Sequence, residues 1–403
     1  MNFKSSSVLF LSVMMSAGAV SAEESKWQTP TMVNARAGML DPRLNYLTFQ
    51  HMDQLFATRN VAAGGKASAL QVATRSIGDE FNFEGKTQKL SEFLESTSTN
   101  ALLVMKDGKI VQEIYRNGST DKTRFMSFSM AKSITSTLVG LAAAEGKIKS
   151  LDDKVIDYLP DWKNSAYANV SIRDLLRMRS GIDWQEIYEF GSKTQLTEVH
   201  DNSLVGYKYR WCDYARDRAK TLKAPGEAFN YSTLDTSVLG CVLEAAIGGK
   251  GADYFSEKIW KPAGMESDGF FLLDGPENVG REFYGAGYNA VLRDYGRFGQ
   301  LILDKGKVNG KQILPEKWVD EATAAMVEPM PADQELGLGY GYQWWTLLGS
   351  DAFSAIGLYN QYIFIDPSDK VVIVKLDAPA APLGWDKANL DFFKQVVTNL
   401  AKK

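Results

Sequence analysis

Ser129-Met130-Ala131-Lys132 sets a hydroxyl and an amine three residues apart. On a helix, positions i and i+3 are neighbours on one face, so the two side chains can meet. The free N–H groups of a helix N-terminus favour negative charge beside such a serine. A lysine desolvated there gives up its proton more readily and can act as base toward the hydroxyl. That is nucleophilic acyl-transfer chemistry with lysine in the place of histidine. The motif alone is common, with on the order of two chance matches in a chain of this length. A second occurs at Ser119-Thr120-Asp121-Lys122, in a polar stretch after Asn117-Gly118, and reads as a solvated turn. The Ser129 copy instead heads the run Ile134, Leu138, Val139, Leu141, Ala142, apolar nearly all round, which predicts a buried helix. Burying Lys132 there is costly unless it has partners. The competing assignment is an N-cap serine with a snorkelling lysine. Tyr231, in Phe229-Asn230-Tyr231-Ser232-Thr233 before an apolar helical run, is a second candidate, although a lone tyrosine more often packs than reacts.

The composition narrows the alternatives. Only two histidines, His51 and His200, occur in 403 residues, so a Ser-His-Asp triad or a histidine-rich metal site would rest on those two. Neither shares a motif with an acid at useful spacing; His200 is expected in a polar loop beside Asp201, structural or solvated. With 45% hydrophobic and 23% charged residues the chain is an ordinary globular one. A net charge of −4 with scattered Lys and Arg gives no nucleic-acid or anionic-membrane surface. Without a Gly-rich phosphate loop, zinc-ligand cluster or EF-hand pattern, no cofactor and no metal are expected. Trp184, Trp211, Trp344 and Trp345 are candidates either for an apolar cleft or for the core.

Those groups must be held by elements assembled along the whole chain. Residues 1–22, with Lys4, an apolar run from Val8 to Val20 and the small-residue ending Val20-Ser21-Ala22, have the layout of a secretory signal peptide cleaved after Ala22. A periplasmic or secreted location follows, and no other stretch is apolar and long enough to span a membrane. In an oxidising compartment Cys212 and Cys241 either form a disulfide or remain buried thiols, and the sequence leaves both open. Residues 23–85 read as a wrapping N-terminal segment. Ala101–Met105 and Ile110–Tyr115 around Lys106-Asp107-Gly108-Lys109 predict a hairpin. A helix is expected from Ser129 to Glu145 with Gly146 as its stop, and a short one from Ser171 that ends at Gly181. Residues 165–285 are mostly helical pattern and long loops. Strands are expected at Tyr340–Thr346, Ala352–Leu358, Gln361–Ile365 and Val371–Leu376, then an amphipathic helix over 386–402. The fold class is α/β (α+β): one antiparallel sheet built from N- and C-terminal segments, flanked by helices, with a helical insertion.

In this order the segments resemble the serine β-lactamase-like superfamily, in its class C and family VIII carboxylesterase branch, and within it the 6-aminohexanoate-dimer hydrolase-type serine hydrolases. The likeness spans about residues 86–395, leaving 396–403 as the end of the last helix. It is carried by Ser129-Met130-Ala131-Lys132-Ser133, Leu151-Asp152-Asp153-Lys154-Val155 with Tyr158-Leu159-Pro160, and Val170–Leu176 leading to Ser180-Gly181. Tyr231-Ser232-Thr233, Pro262-Ala263-Gly264-Met265, Arg293–Gly299 and Ala355-Ile356-Gly357 complete it. The resemblance implies a β-lactamase/transpeptidase-like fold. It implies Ser129 as the acylated nucleophile, Lys132 as its base partner and Tyr231 as a proton shuttle. It also implies an oxyanion hole from the backbone N–H groups of Ser129 and Leu358, with Tyr188, Ile356 and Gly357 as substrate-binding positions.

The departures from the family pattern point to the substrate. Thr233 stands where class C enzymes have Asn, and Asn360 where relatives often have Gly. No Lys-Thr-Gly is present, so the cation that meets a β-lactam or peptide carboxylate is absent; Ala355 and Ile356 suggest a neutral or apolar substrate part there. The expectation is an exported hydrolase forming an acyl-enzyme on a small ester or linear amide, with no metal. A β-lactamase or D-Ala-D-Ala peptidase, or a non-catalytic cell-envelope binding protein on the same fold, are the alternatives.

Overall fold

The structure is a computed structural model that describes residues 26–325, 329, 331–384 and 386–402. The leader assigned to residues 1–22 lies outside the described residues. Among the described residues, no helix is long and apolar enough to cross a membrane.

A seven-stranded antiparallel sheet runs in the order Leu338–Tyr340, Trp345–Leu347, Phe353–Gly357, Gln361–Asp366, Val371–Asp377, Thr99–Lys106, Lys109–Tyr115. The expected hairpin is its far edge, turned by Asp107 and Gly108 at φ 52° and 72°, the left-handed pair of a tight hairpin turn. Its central strands read as unbroken apolar runs because both faces are covered. Leu103, Met105, Ile363 and Val372 join the core that includes the helices Met130–Ala144 and Leu292–Leu303. Leu102, Val104, Phe364 and Ile373 pack with Phe93 and with Phe392, Phe393 and Val396 of the C-terminal helix Asp386–Ala401. Two glycines in the Arg293–Gly299 motif let the helix Leu292–Leu303 lie on the sheet. A methyl on Gly296 would come within 2.4 Å of Leu103 Cδ2, and one on Gly299 within 2.6 Å of Val372 Cγ1.

Several elements differ from the sequence expectation. A second antiparallel sheet is present, in the order Thr58–Val61, Gly269–Leu272, Tyr288–Val291, Arg124–Met126. Its strands have three or four residues each and come from four distant segments. The last three of those strands are wholly or almost wholly buried, so they show no period-two signature. The stretch Tyr340–Thr346 is two strand ends around a turn, because Gln343 takes φ 63° and its buried backbone and side chain accept from Ser133 and Thr236 and donate to Leu175 O. The helix opened by Ser171 stops at Leu176 rather than Gly181, since Met178 adopts φ 55°. Cys212 and Cys241 form a disulfide, joining the helices Trp211–Asp217 and Thr233–Ile247.

Candidate active site

The short strand Arg124–Met126 delivers the chain to the turn that carries Ser129. Ser127 N–H donates to Tyr288 O at 2.8 Å, Phe128 turns back at φ 43°, and Ser129 stands at the head of the helix Met130–Ala144. An N-capping serine would turn its hydroxyl onto the helix amides; Ser129 makes no such bond. Its Oγ accepts instead from Lys132 Nζ at 2.8 Å.

Lys132 is buried and does not snorkel. Its Nζ also donates to Thr233 Oγ1 and to Gly285 O, each at 2.9 Å, and lies 5.0 Å from the centre of the Tyr231 ring. Burial lowers its pKa to about 8, and the nearby Glu186 carboxylate opposes part of that fall. Tyr231 packs on Trp345 and Tyr340. Burial raises its phenol well above the ordinary value, partly offset by a hydrogen bond with the Ser129 side chain. At neutral pH the Tyr231 phenol therefore keeps its proton.

Glu186 is the participant that sequence reasoning missed. It accepts from Thr233 N–H at 2.9 Å, from the Thr233 hydroxyl, from Trp184 Nε1 and from Tyr188 OH at 3.0 Å. The Thr233 hydroxyl accepts from Lys132 while donating to Glu186, so a threonine does what an asparagine amide could not do in one atom. Thr233 thus holds the lysine. The only sequence signal for Glu186 was its place two residues before Tyr188.

The strand Phe353–Gly357 closes the other side. A methyl on Gly357 would meet Ser127 O at 2.4 Å and Ser129 N at 2.9 Å, so this backbone lies directly on the turn that carries Ser129. Leu358 follows it and borders the same cleft as Ser129. Tyr359 and Asn360 then turn the chain at φ 58° and 62°, a left-handed conformation that asparagine tolerates, which explains Asn360 where glycine is expected. The Tyr359 ring packs on Phe128 and Phe49, joining this turn to the one that carries Ser129.

Ser129, Tyr188, Tyr231, Ile356, Gly357 and Leu358 border one cleft of about 480 Å³, with Trp184 and Trp345 also in its wall. Ala355, paired with Ile356 in the sequence reading, is fully buried because strand neighbours face opposite ways, so Ile356 alone meets the cleft. Trp344 stacks on Phe298 in the core, and Trp211 lines a small buried cavity that Ser129 also borders. Among the described residues, the charged side chains bordering the cleft are Glu186, Asp333 and Asp386, with no Lys or Arg. His51 is exposed. His200 is not in a loop: it ends the helix Gln195–His200, whose buried Leu196 and Val199 carry it inward. Ser119 of the second Ser-x-x-Lys is buried rather than solvated, its hydroxyl donating to Asn100 O and Arg116 O, while Lys122 is exposed.

Comparison with known proteins agrees with this geometry. A family model described as Beta-lactamase matches residues 87–376. The 6-aminohexanoate-dimer hydrolase of Paenarthrobacter ureafaciens is 28% identical over 301 residues, covering 72% of this chain and 75% of that protein. A Bacillus anthracis structure provisionally named as a 6-aminohexanoate-dimer hydrolase superposes with a TM-score of 0.79 at 25% identity, covering 91% of this chain and 96% of the other. A class C β-lactamase shares the fold, with a TM-score of 0.54 at 17% identity over 77% of this chain and 93% of the other.

Proposed function

The chain belongs to the beta-lactamase family and is a serine hydrolase, and from that premise we propose that it is exported and cleaves small esters or linear amides through an acyl-enzyme. The observation that carries the reading is the buried Lys132 amine on the Ser129 hydroxyl. With Lys132 neutral, the Ser129 proton passes to Nζ as Oγ attacks the substrate carbonyl carbon. The oxyanion that forms is met by the N–H groups of Ser129 and Leu358. Collapse breaks the bond to the alcohol or amine, which leaves with a proton delivered through Tyr231. Water then attacks the Ser129 ester, gives its proton back through the same pair, and frees the acid.

Thr233 and Glu186 fix the lysine, while Tyr188 and Ile356 wall the substrate's path. Among the described residues the cleft wall carries three carboxyl groups, and the Lys132 amine beside it is taken up by Ser129, Thr233 and Gly285, which ranks neutral or cationic esters and linear amides above β-lactams. The relative named for hydrolysing a 6-aminohexanoate dimer supports the linear-amide arm. The Cys212–Cys241 bridge supports an oxidising, periplasmic or extracellular location. The test is Ser129→Ala: turnover of p-nitrophenyl acetate and mass labelling by a fluorophosphonate are both expected to vanish. Stoichiometric labelling of the alanine variant elsewhere in the chain overturns the assignment.

A further inference from the structure

Lys132 Nζ meets three oxygens: Ser129 Oγ at 2.8 Å, and Thr233 Oγ1 and Gly285 O at 2.9 Å each. The ammonium donates to all three. The neutral amine, the form that takes the Ser129 proton, has two hydrogens and one lone pair. Two of the three oxygens cannot donate to that pair. The Gly285 carbonyl has no hydrogen, and the Thr233 hydroxyl gives its one hydrogen to Glu186. With both N–H bonds made to those acceptors, the lone pair faces the Ser129 hydroxyl. The direction of the base therefore depends on where the Gly285 carbonyl is held.

It is held through the residue before it. Tyr284 O accepts from the Thr135 hydroxyl at 3.0 Å. Thr135 stands three residues after Lys132 on the helix Met130–Ala144, so one face carries both. A helical threonine commonly bonds back to a carbonyl of its own helix, as Thr137 does to Ser133 O at 2.8 Å. Thr135 reaches across to Tyr284 instead. The buried Tyr284 ring fills room that two glycines leave. A methyl on Gly240 would lie 2.0 Å from its Cδ2, and one on Gly251 2.0 Å from its hydroxyl. That hydroxyl donates to Glu244 Oε1 at 3.1 Å, while Arg281 donates to the other carboxyl oxygen. Gly285 is equally confined, since a methyl there would lie 2.7 Å from Thr233 Cγ2. Main chain, ring and hydroxyl of Tyr284 are each fixed, and Thr135, Tyr284 and Glu244 all lie outside the wall of the cleft.

We propose that Thr135 and Tyr284 are positioning residues that, through the Gly285 carbonyl, aim the neutral Lys132 amine at Ser129. This rests on the acyl-enzyme reading above and adds two residues that act on the base from behind. The test compares Thr135→Val, which keeps the shape and loses the hydroxyl, with Thr135→Ser, which keeps the hydroxyl and loses a methyl. In Thr135→Val the rate of fluorophosphonate labelling and kcat for p-nitrophenyl acetate should both fall about tenfold, part of the ~10²–10⁴ that a positioned base supplies, with KM unchanged. Thr135→Ser should stay within about threefold of the native protein. A packing role alone predicts the opposite order, valine being the closer match in shape. Tyr284→Phe, which loses only the bond to Glu244, should slow labelling by at least about threefold. Thermal melts verify that each variant folds. A native labelling rate in folded Thr135→Val or folded Tyr284→Phe, or an equal loss in Thr135→Ser, overturns the positioning role and leaves the acyl-enzyme reading standing. Should Thr135→Val not fold, the labelling rate of Tyr284→Phe decides alone. Absence of labelling in the native protein overturns the acyl-enzyme reading and this role with it.

Discussion

Gly357→Ala is the most demanding test of how the nucleophile and the neighbouring strand are fitted together. The added methyl would lie 2.4 Å from Ser127 O, 2.9 Å from Ser129 N and 3.1 Å from Phe128 Cβ. Ordinary contact begins near 3.4 Å, so one partner must retreat by about 1 Å. The nearest atoms are main chain and cannot rotate aside. Ser127 is held by its bond to Tyr288 O, and Phe128 is packed between Phe49 and Tyr359. The strand end carrying Leu358 therefore moves. Oxyanion donors act at about 2.7–3.1 Å, so a 1 Å retreat removes the Leu358 N–H from the developing charge. The expected loss is about 10²–10³ in kcat, equivalent to about 3–4 kcal/mol of transition-state stabilisation, with little change in KM. The assay is steady-state hydrolysis of p-nitrophenyl acetate, with a thermal melt to verify folding. A folded variant within about threefold of the native kcat refutes the placement of the second donor on Leu358.

Two further outcomes follow from the same geometry. Because burial lowers Lys132 to about 8 and the neutral amine is the base, kcat/KM should rise with pH and level off above about pH 8. Glu186 favours the charged lysine, so Glu186→Gln should move that limb to lower pH; a shift to higher pH, or none, in a stopped-flow pH profile rejects the coupling. Reducing the Cys212–Cys241 bridge, or replacing both residues with alanine, releases a loop of 29-residue separation and should cost about 3–4 kcal/mol. A urea midpoint that does not move while two thiols titrate rejects a stabilising role.

Local pattern carried a good part of this molecule. The i, i+3 spacing of Ser129 and Lys132 on an apolar run determined that the two would meet and be buried, because a helix fixes that geometry within one turn. The hairpin around Asp107-Gly108 and the C-terminal amphipathic helix were legible for the same reason: their signals lie within a few residues. The second sheet was not, since its strands are too short and too buried to show a period. Glu186 was not, since its partners Thr233 and Lys132 are far along the chain and only packing brings a loop carboxylate onto them. Asn360 looked like an unexplained departure until its left-handed turn and the Tyr359 contact to Phe128 were in view. The sequence by itself singled out Ser129, Lys132 and Tyr231, which the fold brings together. Tertiary structure decided what tunes the lysine and how closely Gly357 approaches Ser129. Such contacts close loops of 47 residues between Glu186 and Thr233 and 101 between Lys132 and Thr233, and no local spacing encodes them.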